Sequence, residues 1–73
     1  MDFSEALKAI KMGSMVSRLG WDGRNQWLAI NLVSNNDPMT SSYIYIKTTE
    51  GRLVPWTPTQ EDMLADDWMV KVK

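Results

Sequence analysis

The residues best suited to contact a ligand lie around one predicted turn. The segment Gly20-Trp21-Asp22-Gly23 has two glycines and an aspartate, which favour a tight turn, and Arg18 and Arg24 flank Trp21. A large aromatic side chain on a turn either folds back onto the core or is offered to something outside. An aromatic ring beside two guanidinium groups is the composition of a site for a base and its phosphates, although solvated surface charge explains the arginines more simply.

A second aromatic candidate, Trp56, lies between two prolines. Pro55 and Pro58 fix their own φ angles and disfavour helical conformation in the residues before them. We therefore expect an extended, stiff backbone over residues 54–58 and a rigid corner at Trp56. A ring held in this way suits packing in the core and stacking on a ligand equally well.

The sequence offers little for catalysis or metal binding. It contains no histidine and no cysteine, so imidazole and thiolate chemistry is excluded. The remaining candidates are the serine and threonine hydroxyls, the lysines and the acidic pairs Glu61-Asp62 and Asp66-Asp67. Neighbouring side chains on a helix point about 100° apart, so neither acidic pair converges by itself. We expect these carboxylates to cap and solvate a helix, and we expect neither a metal ion nor a cofactor.

Length and composition predict one small domain over residues 1–73. A chain of this length buries only about 60% of its extended-chain surface, and without disulfides an oligomer is the usual means of stabilisation. The net charge of −1 gives no general attraction to nucleic acid or to an anionic membrane. With an acidic start and no apolar run near 20 residues, the sequence predicts a soluble, intracellular protein.

The hydrophobic pattern predicts an α+β fold, a small antiparallel sheet with an N-terminal helix and a short C-terminal helix before the last strand. Asp2 is the predicted cap of the first helix, with Glu5 closing a capping box and Gly13 ending the helix. Thr59 is the predicted cap of the second helix, with Asp62 at its third position. The predicted strands cover residues 14–19, 25–33, 43–47, 53–54 and 68–73.

The central strands have two different faces. Leu28, Ile30, Ile44 and Ile46 form an aliphatic face, which we expect to carry both helices. The opposite face carries Trp27, Asn31, Tyr43 and Tyr45. It is too aromatic to be left wholly in water and needs a partner or a ligand. The polar segment of residues 34–42 is predicted to be a mobile loop.

Three ordered motifs resemble those of a known family, and together they cover most of the chain apart from residues 34–42. They are the opening Phe3-Ser4-Glu5-Ala6-Leu7-Lys8-Ala9-Ile10-Lys11-Met12-Gly13, the segment Val16-Ser17-Arg18-Leu19-Gly20-Trp21-Asp22-Gly23, and residues 51–60 with 62–68. In this order they resemble the phage Thoeris anti-defence two family. The resemblance implies a homotetramer of two dimers. It also implies a sponge in the host cytoplasm that binds cyclic nucleotide immune signals, glycocyclic ADP-ribose isomers and in some members cyclic dinucleotides, without cleaving them.

Under this hypothesis the pockets lie between subunits and six residues bind the ligand. They are Arg18, Trp21, Arg24, Asn25, Trp56 and Thr57. The tryptophan of the turn would stack on a purine, both arginines would meet phosphate, and the asparagine would bond a base edge or ribose. The Trp56-Thr57 corner would wall the pocket. The predicted loop at residues 34–42 looks shorter than in many relatives, which leaves the choice of signal open.

Two alternatives from other classes stay open. The first is a hydrolase that degrades the same signals with carboxylates such as Asp22 and Asp62. The second is a protein-interaction module whose aromatic face meets a host protein. Intact ligand recovered from the complex would exclude the hydrolase, whereas a stoichiometric protein partner without nucleotide affinity would favour the interaction module.

Overall fold

The computed structural model describes residues 1–21, 25–32 and 41–71. Its elements are α1 (Phe3–Lys11), β1 (Val16–Arg18), one 3-10 turn (Leu19–Trp21), β2 (Trp27–Asn31), β3 (Tyr43–Lys47), β4 (Leu53–Pro55), α2 (Gln60–Leu64) and β5 (Trp68–Val70). The strands form one antiparallel sheet in the order β4-β3-β2-β1-β5. The predicted α+β class is confirmed. Within the described ranges, no helix is long and apolar enough to cross a bilayer.

Both helices begin at their predicted caps. The Asp2 carboxylate accepts the Glu5 backbone N–H at 2.9 Å, and the Glu5 carboxylate accepts the Asp2 N–H at 3.2 Å. The same reciprocal pair joins Thr59 and Asp62 at 3.1 and 3.3 Å. Each capping box satisfies two backbone donors that the first turn leaves without a helical partner. The first helix ends before Gly13, whose φ of +96° suits glycine.

Two strands are shorter than the sequence predicts. The first is predicted over residues 14–19 but covers only Val16–Arg18. Leu19 begins the 3-10 turn, although its N–H still bonds the Asp67 carbonyl across to the neighbouring chain segment at 3.1 Å. The second covers only residues 27–31 of the predicted 25–33, and residue 33 lies outside the described ranges. The predicted tight turn over residues 20–23 thus begins as a 3-10 turn, while residues 22–24 lie outside the described ranges.

The last strand also ends earlier than predicted, at Val70. Its neighbour β1 begins at Val16, and the final bond between these segments runs from the Lys71 N–H to the Met15 carbonyl at 2.8 Å. Residues 72–73 lie outside the described ranges, as does most of the predicted loop, residues 34–40. The hairpin between β3 and β4 is confirmed, with Gly51 at a φ of +87°.

The core lies between α1 and the aliphatic face of the sheet. The register places Leu28 opposite Ile46 and Ile30 opposite Ile44, so the four side chains share a face as predicted. Ala6 and Ile10 of α1, with Val16, Leu28 and Trp68 of the sheet, are the buried apolar cluster. The prediction that this face carries the helices is confirmed, since α2 is also bonded to it through Trp68.

The opposite face of the sheet is aromatic and partly open. The Trp27 and Tyr45 rings meet edge to face, with their centroids 6.1 Å apart. The Asn31 side-chain amide donates to the Tyr43 hydroxyl at 2.8 Å, and both residues are exposed. That this face needs a partner or a ligand stays a prediction.

Candidate functional site

Trp68 is the point at which the predicted aromatic residues meet. It is 2% exposed, and its indole N–H donates to the Asp62 carbonyl at 2.9 Å. The centroid of the Trp68 ring lies 5.5 Å from that of Trp21 and 6.1 Å from that of Trp56, and both of these rings are nearly perpendicular to it. The Phe3 ring packs beside Trp68 with a centroid distance of 5.5 Å. Edge-to-face contacts of this kind fix ring orientation beyond what burial alone does. Two of the predicted ligand-binding residues therefore share one buried anchor.

Arg18 lies on the same side of the sheet, because the register pairs it with Trp68. Its Nε donates to Asp67 Oδ1 and its Nη1 to Asp62 Oδ1, each at 2.8 Å, while Nη2 lies 3.5 Å from Asp67 Oδ2. A longer ion pair of 3.5 Å reaches Glu61. The Arg18 side chain is only 10% exposed, so two carboxylates neutralise it within the fold. Its predicted contact with a ligand phosphate stays a prediction.

The pKa values of this cluster keep all three groups ionised at neutral pH. The hydrogen bonds to Asp67 and Asp62 outweigh the effect of burial and raise the pKa of Arg18 further above its already high value. The Arg18 bond, together with the Gly20 N–H, holds the pKa of Asp67 below the ordinary 3.8. Burial alone would raise the pKa of Asp62, but bonds from Arg18 and Thr59 outweigh it and lower that pKa.

The turn that carries Trp21 is fastened by Asp67. The Asp67 carboxylate accepts the Gly20 N–H at 2.8 Å, and its carbonyl accepts the Leu19 N–H at 3.1 Å. Trp21 itself is half-buried. Of the two outcomes that the sequence left open, the ring thus folds back onto the core, where it packs against Trp68 and keeps part of its surface accessible.

Trp56 lines a cavity of about 470 Å³ between α1 and the sheet. Its N–H donates to the Ile44 carbonyl at 3.0 Å, which extends the strand pairing into the proline corner. The apolar walls are Phe3, Leu7, Ile10, Ile44, Trp56 and Pro58, and Lys11, Ser42 and Tyr43 supply polar groups. Thr57 is exposed beside this wall. That the Trp56-Thr57 corner contacts a ligand stays a prediction.

The remaining predicted residues do not join this group. Asn25 accepts the Lys71 ammonium at 3.5 Å. Lys71 lines a different cavity of about 420 Å³ with Trp27 and Tyr45, on the opposite face of the sheet. Arg24 lies outside the described residues. The structure therefore gathers Arg18, Trp21 and Trp56 around Trp68 and places Asn25 apart from them.

The arrangement suits binding of a planar, anionic molecule. Aromatic edges and aliphatic walls accept a flat ring, and the ammonium of Lys11 can meet an anion at the margin of the Trp56 cavity. Asp62 and Asp67 already accept hydrogen bonds from within the fold. Among the described residues, no set of three or more histidine, cysteine, aspartate or glutamate side chains is grouped to hold a metal ion.

Sequence reasoning gave Asp67 and Trp68 no part in the site. The sequence of β1 does contain an indication of this cluster. Arg18 lies two residues after Val16 and is therefore on the same face of the strand. A cation on the face that buries its neighbour needs a carboxylate partner. The acidic pair Asp66-Asp67 beside Trp68 could have supplied that partner, but only the pairing of β1 with β5 shows that it does.

Comparisons with known proteins agree on one family. The profile of the Thoeris anti-defense 2-like domain matches residues 1–71. The chain is 37% identical to the protein named Thoeris anti-defense 2 from Bacillus phage SP01, in an alignment that covers 93% of this chain and 91% of the phage protein. The similarity thus extends over nearly the full length of both chains.

Proposed function

Because the chain belongs to the Thoeris anti-defense 2-like family, we propose that it is a phage anti-defence sponge, which binds and sequesters cyclic nucleotide immune signals without cleaving them. Glycocyclic ADP-ribose isomers are the first class of signal and cyclic dinucleotides the second. The observation that carries the proposal is the similarity to the phage protein across 93% of this chain. The host cytoplasm during infection is the proposed place of action.

The aromatic geometry supports a purine-binding site. Trp21 and Trp56 each lie nearly perpendicular to the Trp68 ring and are only half-buried, so part of each ring stays accessible to a base. The cavity beside Trp56, about 470 Å³, has the size of an ordinary small-ligand pocket. We assign stacking on the base to Trp21 and phosphate contact to Arg24. The Trp56-Thr57 corner forms the wall, and Asn25 bonds a base edge or ribose from a second subunit.

Sequestration requires no chemical step. A sponge works by mass action when the protein exceeds the signal and the dissociation constant lies well below the signal concentration. Asp62, a candidate acid for hydrolysis, is ionised at neutral pH because its pKa is lowered, and it accepts bonds from Arg18 and Thr59. It therefore has no proton to give to a leaving group. This argues against Asp62 as the general acid of the hydrolase alternative.

The test is a titration followed by recovery of the ligand. Calorimetry with glycocyclic ADP-ribose isomers and cyclic dinucleotides should show tight binding of at least one compound. Chromatography after heat denaturation should return that compound unchanged. An altered product would make the protein an enzyme. No binding, together with a stoichiometric host protein in a pull-down, would leave the interaction module.

A substitution at Trp21 tests the assigned stacking residue. Trp21→Ala should weaken binding by about 10- to 100-fold, since stacking of a base on an aromatic ring contributes about 1–3 kcal/mol. Leu19→Ala, an exposed apolar residue of the same 3-10 turn, is the matched control and should have a smaller effect. Urea unfolding of both variants separates lost affinity from lost fold. Unchanged affinity in folded Trp21→Ala would refute the assignment.

A further inference from the structure

The carboxylate of Asp67 has a separate partner on each oxygen. Its Oδ1 accepts Arg18 Nε at 2.8 Å, and its Oδ2 accepts the Gly20 backbone N–H at 2.8 Å. The Asp67 carbonyl takes the Leu19 N–H at 3.1 Å. One residue thus bonds the end of β1 and the backbone of the turn that follows, immediately before Trp21. We infer that Asp67 is a positioning residue, which acts through Gly20 to hold Trp21 in the orientation that binds the ligand.

The bond at Gly20 leaves little room for a side chain at that residue. A Cβ at Gly20 would lie 2.8 Å from Asp67 Oδ2 and 3.2 Å from Arg18 Nη2. Real Cβ atoms essentially never approach another heavy atom as closely as the first of these distances. A Cβ at this position would therefore push the Asp67 carboxylate away from the turn.

The position of Asp67 in the chain explains why it can set the geometry of the site. It directly precedes Trp68, whose ring lies 5.5 Å from that of Trp21, centroid to centroid, at an interplanar angle of 78°. The same short segment therefore supplies the anion that fastens the turn and the surface on which Trp21 rests. Arg18 orients the Asp67 carboxylate by donating from Nε to its Oδ1, and it binds Asp62 of α2 through Nη1. Sites held by such supporting bonds keep their geometry before a ligand arrives.

The first experiment needs no ligand. Protein labelled with 5-fluorotryptophan gives one fluorine resonance for each of its four tryptophans, and Trp→Phe variants assign them. Asp67→Asn should shift the Trp21 and Trp68 resonances and leave that of Trp27, on the opposite face, in place. Asp66→Asn is the matched control, because it removes the same charge from an exposed neighbour and should shift neither. An unmoved Trp21 resonance, or an equal shift of all four, would overturn the inference.

The second experiment rests on the proposed function. Asp67→Asn should weaken binding of glycocyclic ADP-ribose by about tenfold, the effect of one lost hydrogen bond to a charged group, whereas Asp66→Asn should bind as the wild type does. If the wild type binds none of the compounds, the proposed function fails and the fluorine spectra alone decide the inference. If the wild type binds and Asp67→Asn binds equally well, the inference fails and the proposed function stands.

Gly20→Ala alone keeps the test decisive if Asp67→Asn does not fold, because an unmoved Trp21 resonance in that variant would contradict the inference. Where the Asp67 variants fold, a double-mutant cycle adds a second test. Gly20→Ala leaves every charge in place but should displace the carboxylate and shift the Trp21 resonance. In an Asp67→Ala background the obstructing oxygens are absent, so adding Gly20→Ala should have much less effect on that resonance. Equal effects of Gly20→Ala in both backgrounds would show that Gly20 and Asp67 act independently, which contradicts the inference.

Discussion

Arg18 is a cation on the side of the sheet that buries Val16 and Trp68. A buried charge is costly unless it is paired and hydrogen-bonded, and Arg18 meets this condition through Asp62 and Asp67. The three side chains depend on each other, because removing either aspartate leaves the guanidinium with one strong partner and the longer ion pair to Glu61. Of the two carboxylates, Asp62 is the more buried, and it also closes the capping box of α2, so we expect it to matter more for stability.

Replacing Asp62 by Asn should lower the free energy of unfolding by about 1–3 kcal/mol at pH 7, the cost of leaving a buried charged hydrogen-bonding group poorly paired. The folded-state pKa of Asp62 lies below its ordinary value of 3.8. Its stabilisation is therefore complete above that value and is lost as the pH falls through the folded pKa. The deficit of Asp62→Asn should thus stay constant down to about pH 4 and shrink only as the pH falls further through the folded pKa, where the folded wild type becomes protonated as well.

Urea unfolding between pH 7 and pH 3 measures this difference. Glu61→Gln is the control at the same cluster, because the Glu61 side chain is 85% exposed and lies 3.5 Å from Arg18. It should change stability by less than about 0.5 kcal/mol, as is usual for exposed ion pairs. A deficit for Asp62→Asn that stays constant across the pH range would show that its carboxylate charge is not the source.

The helix α2 has five residues and depends on contacts with the rest of the fold. Isolated helices of this length do not form in water, because nucleation is costly and few hydrogen bonds repay it. Thr59 caps its first turn, and the indole of Trp68 and the guanidinium of Arg18 both bond Asp62. The contacts that attach α2 to the rest of the fold thus converge on Asp62, which also takes part in the capping box.

Removing the Thr59 cap should therefore destabilise the fold by the amount that is usual for a helix N-cap. Thr59→Ala should lower the free energy of unfolding by about 1 kcal/mol, because the Asp62 backbone N–H loses its acceptor. Thr57→Ala, two residues earlier and exposed, is the matched control and should be nearly neutral. Thermal or urea unfolding of both variants measures the difference. Equal stability of the two would mean that tertiary contacts alone hold α2.

The sheet order leaves two edges with exposed apolar side chains. The outer strand β4 exposes Leu53 and Val54, and the outer strand β5 exposes Met69 and Val70. Unpaired edges with apolar residues are ready to join another chain, and a small domain has little core of its own to stabilise it. These features support the proposal that the protein acts as a homo-oligomer of four copies, with sites that neighbouring copies complete.

Native mass spectrometry should therefore give an assembly of four copies of the 8.4 kDa chain. Val70→Lys places a charge on the β5 edge and should shift the mass to smaller species, because a buried unpaired ammonium is costly. Thr49→Lys adds the same charge to the exposed hairpin turn and should leave the mass unchanged. A monomeric wild type at micromolar concentration would refute the oligomer, and an unchanged mass for Val70→Lys would place the interface elsewhere.

The sequence by itself determined the local structure of this protein. Capping boxes depend on residues three apart, strand faces follow an alternation of two, and Gly13 and Gly51 mark where the backbone takes positive φ. The order of the strands, the ends of β1 and β5 and the cluster of Arg18 with Asp67 were decided only by the tertiary structure. Arg18 and Asp67 are 49 residues apart, and nothing in their local patterns encodes the pairing. Burial of Trp68 against α1 brings β5 beside β1. This pairing places Arg18 and Asp67, which the sequence alone would leave on the surface, in contact beneath the turn that carries Trp21.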